Sequence, residues 1–330
     1  MKIGKIPASL LDDIVLAPIN ENEKKRDDVF IRPQTGEDSS AVYIGDELLV
    51  ISSDPITGAK EDTGYIAVHI NCNDIAASGA MPIGIMLTIL LPPTAQETEL
   101  EAIMAGARKA ASELNIEILG GHTEVTPAVC HTVVSGTVIG KAENKKFIST
   151  SGAIEGQDVI ITKWIGLEGT AIISEENKEK LKKYIDEETI SIAISFKKLI
   201  SVLKEAKIAT DFGATCMHDI TEGGVLGAAW EVARCSGLGV YIYADNIPVR
   251  KETEVICKTA NINPYRLISS GSLMITTFEG EKLVEKLLEE GVNAAIIGKV
   301  TKKDKLIMSA GIERELKEPD SDELYNVNII

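Results

Sequence analysis

The sequence predicts an α/β protein of two domains, and three observations lead to that prediction. The chain has 330 residues, which exceeds the length at which one hydrophobic core usually keeps growing. Strand-like and helix-like segments alternate along its whole length, a pattern typical of α/β or α+β layers. A polar, glycine-containing segment at 141–157 separates two such series. We therefore expect a first domain at residues 1–150 and a second at residues 151–330.

Composition and charge exclude several classes of protein. Apolar residues make up 44% of the chain and charged residues 25%, as in ordinary globular proteins, and aromatic residues only 4%, so the core must be aliphatic. The net charge of −16 repels nucleic acids and anionic membranes, and we expect neither as a partner. The five cysteines include no C-x-x-C pair, which argues against a disulfide framework or a zinc site.

The start of the chain and its longest apolar run predict a cytoplasmic protein. Asp12 and Asp13 interrupt the first apolar stretch, which is not the pattern of a signal peptide. The run from Ile83 to Leu91 is too short to span a bilayer and is closed by two prolines.

Each predicted element follows from its apolar pattern and its flanking residues. In the first half, apolar residues at helical spacing predict helices at 65–78 and 98–114, the second opening after Thr94 as a possible N-cap. Short apolar runs there predict strands at 48–52, 83–91, 116–119 and 130–139. In the second half the predicted helices lie near 170–174, 189–205, 225–236 and 281–289. The predicted strands of that half are 158–162, 240–243, 272–277, 293–299 and 305–308.

Three carboxylates of the first half are candidate Mg²⁺ ligands, each in a short polar segment that breaks the amphipathic pattern. Asp38 and Asp54 also suit an ordinary turn and strand end, because aspartate bonds nearby backbone amides. Asp74 stands among apolar residues of a predicted helix, where a buried carboxylate needs a cation or hydrogen-bond donors. Several hard oxygen ligands brought together by a fold are what Mg²⁺ requires, and substrate phosphates usually complete its coordination.

A fourth polar segment of the first half contains adjacent glycines. Gly120 and Gly121 would let backbone amides approach a phosphate closely. The chain has no Walker sequence, no G-x-G-x-x-G after a strand and no H-E-x-x-H, so the commoner nucleotide and zinc sites lack support.

In the second half, residues 217–224 precede a strongly apolar helix. Thr221 suits its N-cap, with acidic residues near the positive end of the helix dipole. The same residues also suit a phosphate with its metal at a helix N-terminus. His218 is either a general base or a structural histidine.

Together these segments resemble the superfamily of aminoimidazole ribonucleotide (AIR) synthetase, thiamine-monophosphate kinase, selenophosphate synthetase and the hydrogenase maturation protein HypE. The matching motifs are G-D-D-A-A-V at Gly36 to Val42, S-T-D at Ser52 to Asp54, N-D-I-A-x-x-G-A-x-P at Asn73 to Pro82, G-G-H-T-E at Gly120 to Glu124 and H-D-x-T-x-G-G at His218 to Gly224. A Glu-Val-Ala stretch follows at Glu231 to Ala233, and Ser269 to Leu273 resembles the S-S-G-x-L element of the HypE branch.

The resemblance implies a two-domain AIR synthase-like fold, whose N-terminal domain forms a β-barrel across a homodimer and whose C-terminal domain is an α/β sandwich. It implies ATP with Mg²⁺ as cofactors. The implied metal ligands are Asp38, Asp54, Asp74, Asp219 and Glu222. The implied nucleotide contacts are Asp38, Ser52, Ser53, Gly120, Gly121, His122, Thr123 and Thr221.

The chain departs from the family pattern at three places. Glu37 replaces the first Asp of the usual pair, and His122 stands where the kinase branch has a metal-binding Asp. The HypE branch ends in a Pro-Arg-Ile-Cys tail whose cysteine carries the group being dehydrated, whereas this sequence ends at Asn326 to Ile330. The nearest cysteine to that end, Cys257, is expected to be a small core residue. We therefore expect no conversion of a carbamoyl group to a thiocyanate on its own C-terminus.

The leading hypothesis is an ATP- and Mg²⁺-dependent enzyme of the HypE-like branch that phosphorylates or dehydrates an unidentified substrate, with a maturation protein as a possible partner. Asp54, Asp74 and His218 are the residues expected in catalysis, which would rest on positioning and charge neutralisation. The alternatives are a noncatalytic nucleotide-binding partner of a maturation complex and a thiamine-monophosphate kinase, the latter disfavoured by His122 and by Thr221 to Gly224.

Overall fold

The structure is a computed structural model that describes residues 3–21, 24–57, 62–319 and 321–329. It divides into two compact units. The first unit consists of residues 25–32 and 38–147, and the second of residues 1–24, 33–37 and 148–330. The C-terminal Ile330, on which the expectation about the tail depends, lies outside the described residues.

Thirteen strands are described, six in the first unit and seven in the second. Those of the first unit are β1 (Val29–Ile31), β2 (Ser39–Ile44), β3 (Glu47–Ile56), β4 (Ala80–Leu91), β5 (Glu117–Val125) and β6 (Val133–Ala142). Those of the second unit are β7 (Asp158–Thr162), β8 (Cys216–Asp219), β9 (Gly239–Tyr243), β10 (Leu273–Thr277), β11 (Ala294–Thr301), β12 (Lys305–Ser309) and β13 (Ile312–Glu315).

The α-helices of the described residues are numbered along the chain in the same way. The second unit begins with α1 (Ala8–Leu11) and α2 (Ala17–Asn20), joined by a π-helical turn at Asp12–Leu16. The first unit contains α3 (Thr63–Ala77) and α4 (Glu97–Glu113). The others belong to the second unit: α5 (Leu167–Glu176), α6 (Lys178–Leu181), α7 (Glu187–Ser195), α8 (Leu203–Phe212), α9 (Gly224–Cys235), α10 (Lys251–Ala260) and α11 (Gly280–Glu289). Among the described residues, no helix combines the length and apolar character needed to cross a bilayer.

The first unit is a six-stranded sheet covered by helices on one face. Its strand order is β1-β2-β3-β6-β4-β5, antiparallel except for the parallel β4–β5 pair at the edge. Helix α3 is buried along its whole length, between α4 and the strands β3, β4 and β6. Gly64 permits the close contact of the two helices, because a Cβ there would lie 1.9 Å from the carbonyl oxygen of Ile103. Helix α3 is therefore enclosed by α4 and the sheet, and all of its residues are buried.

The opposite face of this sheet is open where the described residues of β4 and β5 form it. On β4 buried and exposed residues alternate, and the exposed set includes Met81, Ile83 and Met86. Leu119 on the edge strand β5 is also exposed. This alternation is typical of a sheet with one face on a core and the other open, but here the open face is apolar.

The second unit is a seven-stranded sheet with helices packed around it. The strand order is β13-β12-β9-β11-β7-β10-β8, antiparallel except for the β12–β9 pair. A core of aliphatic side chains lies between α9 and the central strands, as the scarcity of aromatic residues predicts. A second cluster joins α5, α7 and α10, and it contains Cys257, which is buried as expected for a core cysteine. Neither sheet closes into a barrel within the described residues.

The N-terminal residues and the segment 33–37 belong to the second unit and pack against α9. The carboxylate of Asp12 lies 2.5 Å from the guanidinium of Arg234. The thiol of Cys235 donates to the carbonyl oxygen of Thr35 at 2.9 Å. Gly36 is next to this contact, and a Cβ on it would lie 2.4 Å from the Cys235 sulfur. Glycine is thus required at 36 by packing as well as by its φ of +73°.

The sequence predictions of the major elements are confirmed, with shifts at their ends, and one predicted helix is wrong. The helix predicted at 189–205 is broken into α7, a 3₁₀ turn at Phe196–Leu199 and α8. The break lies where the ammonium of Lys163 donates to the carbonyl oxygens of Leu199 at 2.8 Å and Ser201 at 2.5 Å. In a continuous helix these carbonyl oxygens would accept from backbone amides one turn further along. The sequence pattern does not predict β1, β2, β8 or β13, which are short or rich in polar residues.

Candidate functional site

Asp74 is held in the interior of the first unit by two serines. Its side chain is buried on α3, and Ser52 Oγ on β3 lies 2.7 Å from its Oδ2. The same hydroxyl lies 2.8 Å from the carbonyl oxygen of Asp38, and its single proton can be donated to only one of the two. Ser39 Oγ donates to the carbonyl oxygen of Asp74 at 3.3 Å. These two contacts place Asp74 next to β2 and β3, and Ser52 is a donor within reach of its buried carboxylate.

Asp54 is positioned through its backbone by a buried asparagine. Asn71 on α3 has no exposed surface, and its Oδ1 accepts from the amide of Asp54 at 2.9 Å. Its Nδ2 donates to the carbonyl oxygens of Asp54 at 3.2 Å and Ala67 at 2.9 Å. Gly136 on the neighbouring strand makes room, because a Cβ there would lie 2.6 Å from Asn71 Nδ2. These hydrogen bonds hold the backbone of Asp54 in place, while its side chain is half-buried.

Ser53 lies on the other face of the same strand. Its hydroxyl contacts the carbonyl oxygen of Gly136 at 2.8 Å and the hydroxyl of Thr137 at 2.9 Å. Because side chains alternate along a strand, Ser52 and Asp54 share the face that packs on α3 and Ser53 does not. Ser52 contacts Asp74, and Asp54 lies on the same face of β3 as Ser52, whereas Ser53 lies on the opposite face.

Gly120, Gly121, His122 and Thr123 lie inside β5, so the prediction that this strand ends at residue 119 is wrong. All four are exposed on the edge of the sheet. Gly121 has a φ of +144°, and a Cβ on it would lie 1.8 Å from the carbonyl oxygen of Leu87 on β4. The close approach of two strands thus accounts for this glycine without a phosphate. The ring of His122 lies 3.1 Å from the carboxylate of Glu124.

His218 and Asp219 end the edge strand β8 of the second unit, and both are buried. The Nε2 atom of His218 lies 3.1 Å from Oε2 of Glu231 on α9, and Nδ1 lies 3.4 Å from the hydroxyl of Thr150. Lys5 lies 3.3 Å from the other carboxylate oxygen of Glu231. Burial would raise the pKa of Glu231, but Lys5 and His218 outweigh it and lower that pKa to about 2.

The contacts of Lys5, Thr150 and Glu231 were not assigned from the sequence. The signal for Glu231 is a carboxylate in a helix that is apolar apart from Arg234, because a carboxylate there needs a buried partner. Neither Lys5 nor Thr150 carries any comparable signal, because each reaches its partner only through the tertiary fold.

The loop at Thr221 to Gly224 is held by the C-terminal residues rather than by Thr221 as an N-cap. The N-cap of α9 is Gly223, with a φ of +87°, so the predicted capping role of Thr221 is wrong. The amide of Gly223 donates to Asp322 Oδ2 at 2.7 Å, and the hydroxyl of Tyr325 donates to Glu222 at 3.1 Å. At Gly224 a Cβ would lie 2.6 Å from the carbonyl oxygen of Tyr265, so this close backbone contact requires glycine.

Two further buried carboxyl groups lie near this loop. Burial raises the pKa of Glu168, at the start of α5, to about 7; Ser270 opposes this rise, and the charges of Asp322 and Glu222 add to it. Burial likewise raises the pKa of Asp322 to about 6, although three backbone amides donate to it. Both groups hold their protons more tightly in the folded protein than in the unfolded chain.

Replacement of Asn71 tests how far α3 and β3 depend on one side chain. The change Asn71→Leu should lower the free energy of unfolding by about 2–4 kcal/mol, because it removes the Asn71 partners of the amide and carbonyl of Asp54. Urea denaturation measures it, with Asn326→Leu, at an exposed asparagine near the C-terminus, as the control. A loss equal to that of the control would contradict this role for Asn71.

The pKa of Glu168 predicts how stability depends on pH. Its proton is bound in the folded protein up to about pH 7 and in the unfolded chain only up to about 4.5. Its contribution to stability is therefore complete below pH 4.5 and is lost as the pH rises through 7. Glu168→Gln should gain stability relative to wild type over that range, by at most about 3 kcal/mol. Melting temperatures from pH 4.5 to 8 test this, with Glu176→Gln, at the end of the same helix, as control. Parallel curves for the Glu168→Gln variant and wild type would refute it.

Family models match both halves of the chain. The N-terminal domain model of AIR synthase related proteins matches residues 36–142, and the C-terminal domain model matches residues 155–310. The chain is 28% identical over 311 residues to a protein of Methanocaldococcus jannaschii named for hydrogenase expression and formation, covering 92% of this chain and 90% of that protein. It is 27% identical over 282 residues to the carbamoyl dehydratase HypE of Rhizobium leguminosarum, covering 82% of this chain and 79% of that protein.

A solved structure of a hydrogenase maturation protein, HypE in complex with ATP, has the same fold. The TM-score is 0.71 at 22% identity, over 98% of this chain and 97% of that one. At that identity the likeness concerns the fold alone.

Proposed function

Since the chain belongs to the AIR synthase related family, in both its N-terminal and its C-terminal domain, we propose that it is an ATP- and Mg²⁺-dependent enzyme that activates its substrate by phosphoryl transfer. The observation that carries the proposal is the buried carboxylate of Asp74 in contact with Ser52, together with Asp54, whose backbone is held by Asn71. A relative of the same fold in complex with ATP supports the nucleotide.

The residues of the first unit fit a magnesium ion. Asp54 and Asp74 offer hard oxygen ligands, and Asp38 just before β2 adds an exposed carboxylate. The carboxylate of Asp74 is rigidly placed, since its helix is buried throughout and Ser52 fixes one of its oxygens. Bound Mg²⁺ would neutralise phosphate charge, and these residues would hold it in place before the nucleotide arrives.

The second unit offers a second group of polar side chains. A ring nitrogen of His218 and a carboxylate oxygen of Asp219 lie within 4.8 Å of each other. In the proposed reaction Asp219 and Glu222 would hold metal, Thr221 would contact the nucleotide, and His218 would accept a proton from the group that attacks the phosphate. Gly223 and Gly224 keep this loop close to neighbouring backbone and side chains.

The names of the relatives indicate a substrate class. One is a carbamoyl dehydratase and another is named for hydrogenase expression and formation. We assign this chain to the activation of an amide or carboxyl oxygen by phosphorylation, within the maturation of hydrogenase or another metal centre and with a maturation protein as partner. ATP hydrolysis that a carbamoylated protein or peptide accelerates would support this assignment. Nucleotide binding without turnover on any such substrate would favour the noncatalytic binding partner instead.

The variants Asp54→Asn and Asp74→Asn should each abolish Mg²⁺-dependent ATP binding. Each removes a charge opposite a divalent cation, and a loss of roughly 3 kcal/mol corresponds to about a hundredfold in affinity. Calorimetric titration with ATP in Mg²⁺ and in EDTA measures the effect, with circular dichroism to establish that the variants are folded. Asp46→Asn, at a fully exposed carboxylate on the β2–β3 turn, is the matched control. Wild-type affinity in both variants would remove the metal-ligand assignment.

We also propose that the chain is a homodimer joined through the open face of the first unit's sheet. Exposed Met81, Ile83, Met86 and Leu119 would otherwise leave apolar surface in water. Light scattering should give about twice the chain mass of 35.5 kDa, and Ile83→Arg should give a monomer. The control Leu288→Arg, at an equally exposed apolar residue of the second unit, should stay dimeric. A wild-type monomer at micromolar concentration would overturn the dimer.

A further inference from the structure

One carboxylate on α9 connects the histidine of β8 with the first residues of the chain. Oε2 of Glu231 lies 3.1 Å from His218 Nε2, and its Oε1 lies 3.3 Å from Lys5 Nζ. The side chain of Glu231 is only 13% exposed and that of His218 only 3%. Each oxygen of this carboxylate therefore has its own partner, and the carboxylate cannot turn without losing one of them.

The contacts on the two ring nitrogens of His218 differ in kind. A carboxylate oxygen only accepts hydrogen bonds, so Nε2 must carry the proton that joins the ring to Glu231. The other nitrogen, Nδ1, lies 3.4 Å from the hydroxyl of Thr150, which can donate as well as accept. A carboxylate that holds one ring nitrogen of a histidine fixes both its tautomer and its orientation, as in the supporting partners of metal-bound and catalytic histidines.

We propose that Glu231 is a positioning residue, which holds the proton of His218 on Nε2 and thereby presents Nδ1 as the atom that accepts a proton. Lys5 acts one step further away, because it fixes the carboxylate of Glu231 from the other side. The first residues of the chain thus take part in aligning the histidine. The positioning stands on geometry alone, and only its kinetic consequence rests on the proposed function.

The same N-terminal segment has a second attachment to α9, which supplies the control. Asp12 pairs with Arg234, three residues along the helix from Glu231. Asp12→Asn loosens the segment without touching His218 or Glu231. Lys5→Met loosens the segment and also removes the support of the Glu231 carboxylate. Comparing the two separates anchoring of the segment from alignment of the histidine.

The tautomer can be read directly from the full-length protein. The chain has four histidines, so long-range proton–nitrogen NMR spectra of protein labelled with ¹⁵N-histidine are simple, and His218→Asn identifies the signal. We expect Nε2 to be protonated in wild type and in Glu231→Gln, whose amide oxygen can still accept. In Glu231→Leu, which offers no acceptor, we expect protonation to spread to Nδ1. Wild-type protein protonated on Nδ1 alone, or a His218 signal unchanged in a folded Glu231→Leu variant, would overturn the proposal.

Steady-state ATP turnover gives the second measurement. Glu231→Leu should lower kcat at least about tenfold, the lower range for loss of a supporting partner, with the KM for ATP changed less than about twofold. Glu231→Gln should recover most of the rate, Lys5→Met should lie between, and Asp12→Asn should match wild type. An equal loss in Asp12→Asn would show that the segment matters and not the alignment, which contradicts the proposal. Absence of turnover in wild type would instead refute the proposed function, and the NMR result would still decide the role of Glu231.

Discussion

The contact between the Asn71 side chain and the backbone of Asp54 is the constraint on which the first unit depends. One amide group satisfies both polar groups of a strand residue and the carbonyl of Ala67 in its own helix. Asn71 has no exposed surface on the buried helix α3, so its amide group must be paired inside the protein. The pairing fixes how far along β3 the helix sits. That register brings Ser52 to Asp74, and it explains why Gly136 on the neighbouring strand has no side chain.

In the second unit, buried carboxylates rather than an asparagine link separate segments of the chain. Asp322 accepts from the amides of Gly223, Ile268 and Leu324, and so joins two loops to the C-terminal residues. Glu231 joins the histidine of β8 to the N-terminal residues in the same manner. In each case a buried carboxyl group acts as an acceptor with more than one partner, which gives it a larger effect on geometry than a surface ion pair would have. Both ends of the described chain are in this way connected to the segment at 218–224.

The pKa values of these groups show which buried charges are compensated. Glu231 has a cationic partner and a histidine, and its pKa falls to about 2. The charges that act on Glu168 and Asp322 are those of neighbouring carboxylates, and their pKa values rise to about 7 and about 6. Burial alone acts in the same direction on all three, so the difference comes from the sign of the neighbouring charge. The second unit thus has one carboxylate, Glu231, that a cation and the candidate histidine stabilise, and two carboxyl groups, Glu168 and Asp322, whose ionised forms the neighbouring carboxylates disfavour.

The sequence by itself determined the alternation of strands and helices, the aliphatic core, the family and the polar segments, because these depend on local apolar periodicity and on the order of short motifs. Asp54, Asp74, His218 and Asp219 were predicted as site residues in that way, and their roles stay predictions. Only the tertiary structure decided that Ser53 faces away from Asp74, that Gly120 to Thr123 continue β5, and that 189–205 breaks where Lys163 reaches its carbonyls. Lys5, Asn71, Glu231 and Asp322 likewise gain their roles from partners that mostly lie far away in sequence. The physical reason is that the partner of a buried polar group is chosen by the packing of whole elements, which a local pattern does not contain.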